Sequence, residues 1–279
     1  MQHPAITPGR VAVITGAASG IGLAAAERFA GLGLRLCLAD VDADALAAAV
    51  ATLSDRTEVL GVPTDVSRLE DVQRLRDQAY ARFGEVAVLM NNAGREGGGG
   101  LGATTERWHE IIGANLWGVV HGVQVFTPAM TAQGTPCAVI NTGSKQGITC
   151  PPGDTAYNVS KAGIKVVTEA LAHDLRNMEG CRVTAHLLVP GFTFTGFTRV
   201  RTSEKPAGAW MPDQVITVLL DGMAQGRFYI LCEDNDVTRD LDDKRILWAA
   251  QDITEDRPPL SRWHPDYKEA FAAYLSKPK

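Results

Sequence analysis

The sequence lacks the cysteine and histidine patterns of a disulfide framework or a metal centre. Its five cysteines are scattered over 279 residues, odd in number and never closely paired, which favours a reducing compartment over a disulfide scaffold. No Cys-x-x-Cys or His-x-x-x-His spacing occurs, although such spacings are typical of zinc sites. We therefore expect the protein to bind no metal ion.

An excess of positive charge and a long apolar run are also missing. The formal net charge is −5 and the pI is about 5.7, so no basic field attracts nucleic acid or an anionic membrane. No apolar run approaches the roughly 20 residues of a membrane span, and the segment Met1–Arg10 has no apolar signal core. We expect a cytoplasmic protein without nucleic-acid or membrane partners.

What the chain does contain is an alternation of short apolar runs with longer helical patterns. Largely apolar strands are expected where a sheet is covered on both faces. The alternation predicts right-handed βαβ crossovers and a single Rossmann-like α/β domain, with a doubly wound parallel sheet of about seven strands and helices on both faces. The predicted strands are Val11–Thr15, Leu34–Ala39, Glu58–Val62, Val86–Met90, Ala138–Thr142, Arg182–Val189 and Phe228–Leu231. The predicted helices are Gly20–Ala30, Ala43–Leu53, Leu69–Phe83, Glu106–Thr131, Thr155–Asn177 and Asp213–Ala224.

Two segments depart from this alternation. Phe192–Pro212 is a long irregular connection, and such loops in compact domains are often lids. We expect residues 1–232 to form the main domain, including a lid over 192–212. Residues 233–279 would form a C-terminal extension, packed on this domain or on a neighbouring subunit. The extension is charged, with a short helix expected around Asp266–Leu275, and its segment Arg257–Tyr267 is the part expected to reach the neighbour.

The first predicted strand runs into a glycine-rich turn, Thr15-Gly16-Ala17-Ala18-Ser19-Gly20-Ile21-Gly22, and then directly into a helix. Glycines permit a tight turn and let backbone N–H groups approach a pyrophosphate at the helix N-terminus. The spacing Gly-x-x-x-Gly-x-Gly differs from the general dinucleotide fingerprint Gly-x-Gly-x-x-Gly, and a plain strand–helix turn is the alternative. The strand–turn–helix context favours a dinucleotide site.

Asp40 ends the second predicted strand and bears on which dinucleotide would bind. A carboxylate at this place can accept hydrogen bonds from an adenosine ribose and would repel a 2′-phosphate. No Arg or Lys lies in the glycine turn or directly after Asp40, so the sequence favours NAD over NADP. Alternatively, Asp40 caps the following helix, although Asp42 and Asp44 are better cap candidates.

Ser144, Tyr157 and Lys161 form the strongest chemical constellation. Tyr157 and Lys161 stand at i and i+4 on a predicted helix and share a face. An adjacent ammonium stabilises a phenolate and lowers the tyrosine pKa from about 10. Such a phenol can give a proton to a carbonyl oxygen or take one from an alcohol, while Ser144 could hold the same oxygen. Most Tyr-x-x-x-Lys pairs are ordinary helix-surface pairs, so the position of this pair after the fifth strand gives it weight.

Several motifs together resemble the short-chain dehydrogenase/reductase family in its compact form, over about residues 8–232. The resemblance implies an NAD-dependent oxidoreductase that interconverts a secondary alcohol and a ketone. Its motifs, in family order, are Thr15-Gly16-x-x-x-Gly20-x-Gly22, Asp65, Asn91-Asn92-Ala93-Gly94, Asn115, the Ser144/Tyr157/Lys161 set and Pro190-Gly191-Phe192-Thr193-Phe194-Thr195.

The resemblance also implies residue roles. Asp65 and Val66 would contact the adenine, and Lys161 would bind the nicotinamide ribose as well as tune the tyrosine. Asn115 would hold a water that relays protons. Thr193 stands where the family more often has an apolar residue, a change that leaves backbone contact with the carboxamide intact. The residues expected to contact the cofactor are Gly16, Ser19, Gly20, Ile21, Gly22, Asp40, Asp65, Val66, Asn92, Ala93, Gly94, Tyr157, Lys161, Pro190, Gly191, Thr193 and Thr195.

The substrate side is marked by aromatic and basic residues of the lid region. Aromatic side chains there predict an apolar or aromatic substrate wall, or alternatively anchor the lid to its own domain. Basic side chains could meet a substrate carboxylate, although on loops they are usually solvated. The aromatic residues are Phe192, Phe194, Phe197 and Trp210, and the basic residues are Arg199, Arg201 and Lys205.

The family resemblance further implies a homo-oligomer, a tetramer or a dimer, built partly from the helices Glu106–Thr131 and Thr155–Asn177. Three other functions are alternatives. A nucleotide-sugar epimerase resembles a longer form with a sizeable C-terminal substrate domain. A dinucleotide-bound sensor or scaffold has no need of a tuned phenol. A serine hydrolase would need a Gly-x-Ser-x-Gly elbow, and the sequence has none.

Overall fold

The computed structural model describes residues 2–97, 99–196 and 204–277. In these residues one parallel sheet of seven strands has the order β3-β2-β1-β4-β5-β6-β7, which confirms the predicted fold class. The strands are β1 Val11–Thr15, β2 Arg35–Asp40, β3 Val59–Pro63, β4 Val88–Asn91, β5 Cys137–Thr142, β6 Val183–Val189 and β7 Tyr229–Leu231.

Helices cover both faces of the sheet, because its strands are apolar on both sides. On one face Phe29 and Leu219 pack with strand residues such as Leu36, and on the other Leu75 and Phe126 form a second core cluster. Burying one such side chain contributes about 1.5–3 kcal/mol. The helices of the first face are α1 Gly20–Gly31, α2 Ala43–Ser54 and α8 Pro212–Ala224, and those of the second are α3 Leu69–Phe83, α5 Gly118–Ala132 and α7 Thr155–Asn177.

The segment predicted as one helix over Glu106–Thr131 is interrupted. Helix α4 covers Thr105–Ile112, a π-helical turn covers Gly113–Trp117, and α5 begins at Gly118. The π-helical turn contains Asn115, whose side chain is fully buried. Such turns inside helices are frequent at functional sites, and this one redirects a polar side chain into the interior.

The C-terminal extension contains a helix that the sequence analysis did not predict. Helix α9, Arg239–Thr254, begins after Thr238, whose hydroxyl accepts a hydrogen bond from the amide of Leu241. It packs against the short helix α6, Gln146–Thr149. Helix α10, Lys268–Ser276, follows two 3₁₀ turns and lies close to the expected short helix.

Within the extension, the segment Arg257–Tyr267 contacts α9. The guanidinium of Arg257 lies 3.9 Å from the ring centre of Trp248, and the hydroxyl of Ser261 accepts a hydrogen bond from the Trp248 indole at 2.7 Å. Contact of this segment with a neighbouring subunit stays a prediction. No helix in the described ranges is long and apolar enough to span a bilayer.

The strand order reverses at β1, which has β2 on one side and β4 on the other. The loops that follow β1 and β4 therefore separate at the carboxyl edge of the sheet. Open α/β sheets bind ligands in the crevice that forms at such a reversal. The glycine-rich turn and Asn92 follow β1 and β4, so both lie at this crevice.

Candidate active site

A cavity of about 600 Å³ lies at the carboxyl edge of the sheet, a size typical of sites for cofactors and small ligands. Gly22 and Asn115 are not part of its wall; they lie behind it. The other residues predicted for the site line it: Gly16, Ser19, Gly20, Ile21, Asp40, Asp65, Val66, Asn92, Ala93, Gly94, Ser144, Tyr157, Lys161, Pro190, Gly191, Thr193 and Thr195.

The glycine turn is closed too tightly for side chains. A Cβ on Gly22 would stand 2.1 Å from the carbonyl oxygen of Gly16. Gly16 itself has a φ of +64°, and its Cβ would meet the Cα of Ala93 at 2.8 Å. The turn thus brings the N-terminus of α1 to the cavity, where backbone N–H groups and the helix dipole suit a pyrophosphate.

Asp40 ties the end of β2 to this turn. One carboxylate oxygen accepts a hydrogen bond from the amide of Ala18 at 3.0 Å, and the other accepts from the amide of Asp42 at 3.1 Å. The cap of α2 is Asp42, whose carboxylate accepts from the amide of Ala45 at 3.0 Å. The helix-cap alternative for Asp40 is therefore wrong, and its side chain lines the cavity.

Asn92 joins the ends of three strands beneath the cavity. Its side-chain amide donates to the carbonyl oxygens of Thr15 and Gly16 at 3.2 and 3.3 Å. Its side-chain oxygen accepts from the hydroxyl of Thr142 at 3.3 Å. These bonds connect β1, β4 and β5, so the floor of the cavity is braced by side chains as well as by the sheet.

The structure brings Ser144, Tyr157 and Lys161 together. Ser144 follows β5, while Tyr157 and Lys161 lie one turn apart on α7. The ammonium of Lys161 donates to the carbonyl oxygen of Thr142 at 2.8 Å and lies 5.5 Å from the ring centre of Tyr157. A Cβ on Gly147 would stand 2.4 Å from the backbone carbon of Lys161, so α6 presses the loop after Ser144 against α7.

The ionisation of this group follows from its burial. Burial raises the pKa of Tyr157 to about 12, a hydrogen bond with Ser144 opposes this rise, and the carboxylates of Glu96 and Asp154 add to it. Burial lowers the pKa of Lys161 to about 8. The pKa of Tyr157 therefore lies above its ordinary value, opposite to the sequence expectation, because burial outweighs the hydrogen bond with Ser144. The Lys161 ammonium donates to the carbonyl oxygen of Thr142.

Asn115 acts as a brace behind the cavity. Its side-chain oxygen accepts from the amide of Arg95 at 2.6 Å, and its amide group donates to the carbonyl oxygen of Arg95 and to the hydroxyl of Ser160, each at 2.9 Å. These bonds fix the loop after β4 to α7. The predicted water relay through Asn115 stays a prediction.

The described ends of the lid are joined to each other. The amide of Phe194 donates to the carbonyl oxygen of Trp210 at 2.8 Å, and the amide of Trp210 donates to that of Phe192 at 2.9 Å. Phe194 is buried, whereas Phe192 is 44% exposed and lines the cavity. Thus Phe192 fits the predicted substrate wall, and Phe194 fits the alternative of an anchor.

Of the basic lid residues, only Lys205 lies in the described part of the chain. Lys205 is exposed, and its ammonium donates to the carbonyl oxygen of Pro206. Phe197, Arg199 and Arg201 lie outside the described residues. A substrate carboxylate bound by these side chains is therefore an expectation without support from the described contacts.

Some polar residues that line the cavity were not singled out from the sequence. All of them directly follow a predicted motif in the sequence, and this adjacency is the signal by which they could have been predicted as cavity residues. The residues are Arg95 and Glu96, after Gly94, and Lys145 and Gln146, after Ser144.

Comparison with known proteins agrees with this geometry. The family model for short chain dehydrogenases matches residues 10–206. The 1-deoxy-11-beta-hydroxypentalenate dehydrogenase of Streptomyces exfoliatus is 32% identical over 261 residues, which cover 91% of this chain and 94% of that protein. A short-chain dehydrogenase/reductase from Burkholderia phymatum, solved in complex with NAD, is 40% identical with a TM-score of 0.82, covering 90% of this chain and 96% of that one.

A metagenomic short-chain oxidoreductase, solved in complex with NADP, is 28% identical with a TM-score of 0.69, covering 81% of this chain and 98% of that one. The chain belongs to the short-chain dehydrogenase/reductase family. It is an oxidoreductase that interconverts an alcohol and a carbonyl compound with a nicotinamide dinucleotide. The predicted family and reaction class are confirmed.

Proposed function

We propose that this protein is an NAD-dependent dehydrogenase of a secondary alcohol on an apolar or aromatic small molecule, with Tyr157 as its acid/base. The observation that carries the proposal is the meeting of Ser144, Tyr157 and Lys161 in one cavity with the glycine turn. A phenol, a hydroxyl and an ammonium beside a dinucleotide site are the groups that proton transfer at an alcohol oxygen requires.

Each side chain has a distinct task in this proposal. A dinucleotide held by the glycine turn and Asp40 would supply the hydride acceptor for oxidation of the alcohol and the hydride donor for reduction of the ketone. As the phenolate, Tyr157 would take the hydroxyl proton during oxidation and become the phenol; as the phenol, it would give a proton to the carbonyl oxygen during reduction. Ser144 would hold the same oxygen by a hydrogen bond. Lys161, with its pKa lowered to about 8 by burial, is still mostly protonated at pH 7 and stabilises the phenolate electrostatically.

The preference for NAD rests on the adenosine end of the cavity. The Asp40 carboxylate lines that end, and the next residue, Val41, is 60% exposed and carries no charge. The other described residues that line this end are Thr64, Asp65 and Val66, so no cation there offsets the carboxylate. A 2′-phosphate would be repelled, whereas ribose hydroxyls would donate hydrogen bonds to Asp40. The similar Burkholderia phymatum structure, solved with NAD, supports the same cofactor.

The substrate class is supported by Phe192, whose partly exposed ring lies in the cavity. The similar Streptomyces exfoliatus protein is named for a hydroxypentalenate substrate, which agrees with a bulky small-molecule alcohol. An apolar ring in the cavity wall favours substrates that bury carbon surface against it.

The proposed function is tested by Tyr157→Phe, which removes the phenol oxygen and keeps the ring. We expect turnover of a panel of secondary alcohols with NAD, followed by NADH absorbance, to fall by at least about 10²-fold. Binding of NADH, followed by fluorescence, should change by less than twofold. The matched control is Tyr80→Phe, since the Tyr80 hydroxyl bonds to Gln133 and Tyr80 is not part of the cavity wall. A Tyr157→Phe variant within a few-fold of wild type would show that the acid/base assignment is wrong.

We also propose that the protein is cytoplasmic and forms a homo-oligomer, a tetramer or a dimer. Trp117 in the π-helical turn and Val159 and Val166 on α7 are large apolar residues that are about half exposed or more, which supports an interface there. In the proposed domain division, residues 1–232 form the catalytic domain and residues 233–279 pack on it as an extension. Contacts between α9 and α6 support this division.

A further inference from the structure

We propose that the C-terminal extension positions the active site through an ion cluster in which Asp234 and Asp242 hold Lys145, the residue directly after Ser144. This inference rests on the proposed function, because it concerns how Ser144 and residues 190–195 are held. Residues 190–195, called the covering segment below, line the cavity except at Phe194 and are expected to contact the nicotinamide end of the cofactor. Both aspartates lie beyond residues 10–206, the part matched by the family model. Both aspartates thus come from a segment outside the region that the family model matches. Their proposed role is to position Lys145 and the residues next to it.

The cluster is compact and largely shielded from solvent. The ammonium of Lys145 lies 2.6 Å from a carboxylate oxygen of Asp242 and 3.3 Å from one of Asp234. The side chains are 17% exposed for Lys145 and 6% for each aspartate. Removing one partner of a buried ion pair destabilises the protein, because the other charge is left uncompensated. The ion pairs therefore restrict the positions of all three side chains.

Asp234 makes a second contact that reaches the covering segment. The oxygen that faces Lys145 also accepts a hydrogen bond from the amide of Phe192 at 3.1 Å. A Cβ on Gly191 would stand 2.7 Å from this oxygen and 2.9 Å from the Lys145 ammonium. The backbone at Gly191 and Phe192 is therefore seated directly on the ion cluster.

Lys145 passes this constraint to Ser144 through the short helix α6. The hydroxyl of Ser144 accepts a hydrogen bond from the amide of Gln146 at 3.2 Å, and its carbonyl oxygen accepts from the amide of Gly147 at 3.0 Å. In the chain, Lys145 lies between Ser144 and the two residues, Gln146 and Gly147, whose amides bond to Ser144. A shift of its backbone would move the hydroxyl that is proposed to hold the substrate oxygen.

The two aspartates differ in what they touch, and this separates their expected effects. Asp234 contacts both the covering segment and Lys145, so its loss should weaken cofactor binding and lower turnover. Asp242, on α9, is paired with Lys145 and makes no hydrogen bond or ion pair with the covering segment in the described part of the chain. Its loss should lower turnover while cofactor binding stays intact.

The test measures NADH binding by fluorescence and steady-state kinetics for Asp234→Asn, Asp242→Asn and the wild type. We expect Asp234→Asn to raise the Kd for NADH about tenfold, the size of one lost charge-assisted hydrogen bond. Asp242→Asn should lower kcat about tenfold with the Kd for NADH within twofold of wild type. Unchanged kcat and Kd in both variants would overturn the inference, even if their thermal stability falls.

The matched control is Asp243→Asn on the same helix. Asp243 pairs with Arg239 at 2.7 Å, and its side chain is 25% exposed; it is not part of the cavity wall. This control should keep wild-type kcat and Kd. If it lowers them as much as Asp242→Asn does, the effect belongs to the helix in general and the inference is wrong.

Two further arms keep the test decisive. If Asp242→Asn does not fold, Asp242→Glu replaces it, because the longer side chain keeps the charge but displaces Lys145. We expect kcat of Asp242→Glu to fall about threefold. Full activity of this variant would overturn the inference. A wild-type protein that fails to bind NADH contradicts the proposed function itself. If the wild type binds NADH and Asp234→Asn binds NADH with the same Kd, only the inference is contradicted.

Discussion

Among single residues, Asp40 is the one on which the proposed preference for NAD depends. Its two oxygens accept hydrogen bonds from the amides of Ala18 and Asp42. An ionised carboxylate offers about four acceptor positions, so two bonds leave capacity for ribose hydroxyls. The backbone bonds also fix the orientation of the carboxylate, which makes its repulsion of a 2′-phosphate hard to relieve by rotation.

Asp40→Ala should therefore relax the cofactor preference. We expect the ratio of kcat/KM for NAD to that for NADP to fall at least about tenfold, since a repulsive charge and a hydrogen-bond acceptor are lost together. Steady-state kinetics with both cofactors measure this ratio. Asp42→Ala is the matched control; it removes the α2 cap at a cost of about 1 kcal/mol and should leave the ratio unchanged. An unaltered ratio in Asp40→Ala would contradict the role of the carboxylate in discrimination.

Among single residues, Tyr157 and Lys161 also show what the i, i+4 spacing can predict and what it cannot. The i, i+4 spacing correctly predicts that both side chains lie on one side of α7 and line the same cavity. It does not predict the ionisation, because the pKa of Tyr157 depends on burial and on Glu96 and Asp154. Glu96 comes from the loop after β4, so its influence follows from the tertiary structure, whereas Asp154 stands at the N-cap position of α7 and is close to Tyr157 in the sequence itself.

For a whole element, a tight packing constraint lies where α5 crosses β4. A Cβ on Gly122 would stand 2.0 Å from the side-chain oxygen of Asn91. The amide group of Asn91 is already used, since it donates to the side-chain oxygen of Asn141 at 2.8 Å. The helix can therefore approach the sheet this closely only with glycine at the contact.

We expect Gly122→Ala to lower the free energy of unfolding by about 1–3 kcal/mol, as overpacking in a core does. This loss would exceed the gain of about 1 kcal/mol that alanine brings to a helix. Urea denaturation measures the difference. Gly113→Ala is the control, because its Cβ would have only ordinary contact at 3.4 Å from the Cβ of Ser67. Equal stability of the two variants would contradict the close approach of α5 to the sheet.

The elements differ in how well their sequences predict them. Helices with one apolar stripe against the sheet, such as α3, agree with the predicted bounds. Helix α9 buries only Asp242 and Trp248 among its described residues, so it has no apolar periodicity to detect; the cap Thr238 and the acidic first turn were the remaining signals. The π-helical turn at Asn115 escaped prediction because its flanking helices continue the same apolar pattern.

Over the whole molecule, the exposed apolar residues of α7 and the neighbouring π-helical turn argue for self-association. Val159 and Val166 are 46% and 62% exposed. They stand seven residues apart, which is two helical turns, and so share a face. Trp117 is 52% exposed, and the turn that carries it contacts α7. An apolar stripe of this kind on a folded domain is more stable when covered by a second copy than by water.

Val166→Glu should separate the proposed oligomer, because a carboxylate on each subunit would be desolvated in the interface. We expect the mass measured by light scattering to fall from a multiple of 29.8 kDa towards the monomer value. Ile253→Glu on α9 is the control, since Ile253 is 86% exposed and lies outside the proposed interface, so the assembly should persist. A monomeric wild type would contradict the proposed oligomer. A Val166→Glu variant that assembles as the wild type does would show that the interface lies elsewhere. Because the apolar face of α7 is the outer side of the helix whose inner side carries Tyr157 and Lys161, dissociation should also lower turnover if the assembly holds α7 in place.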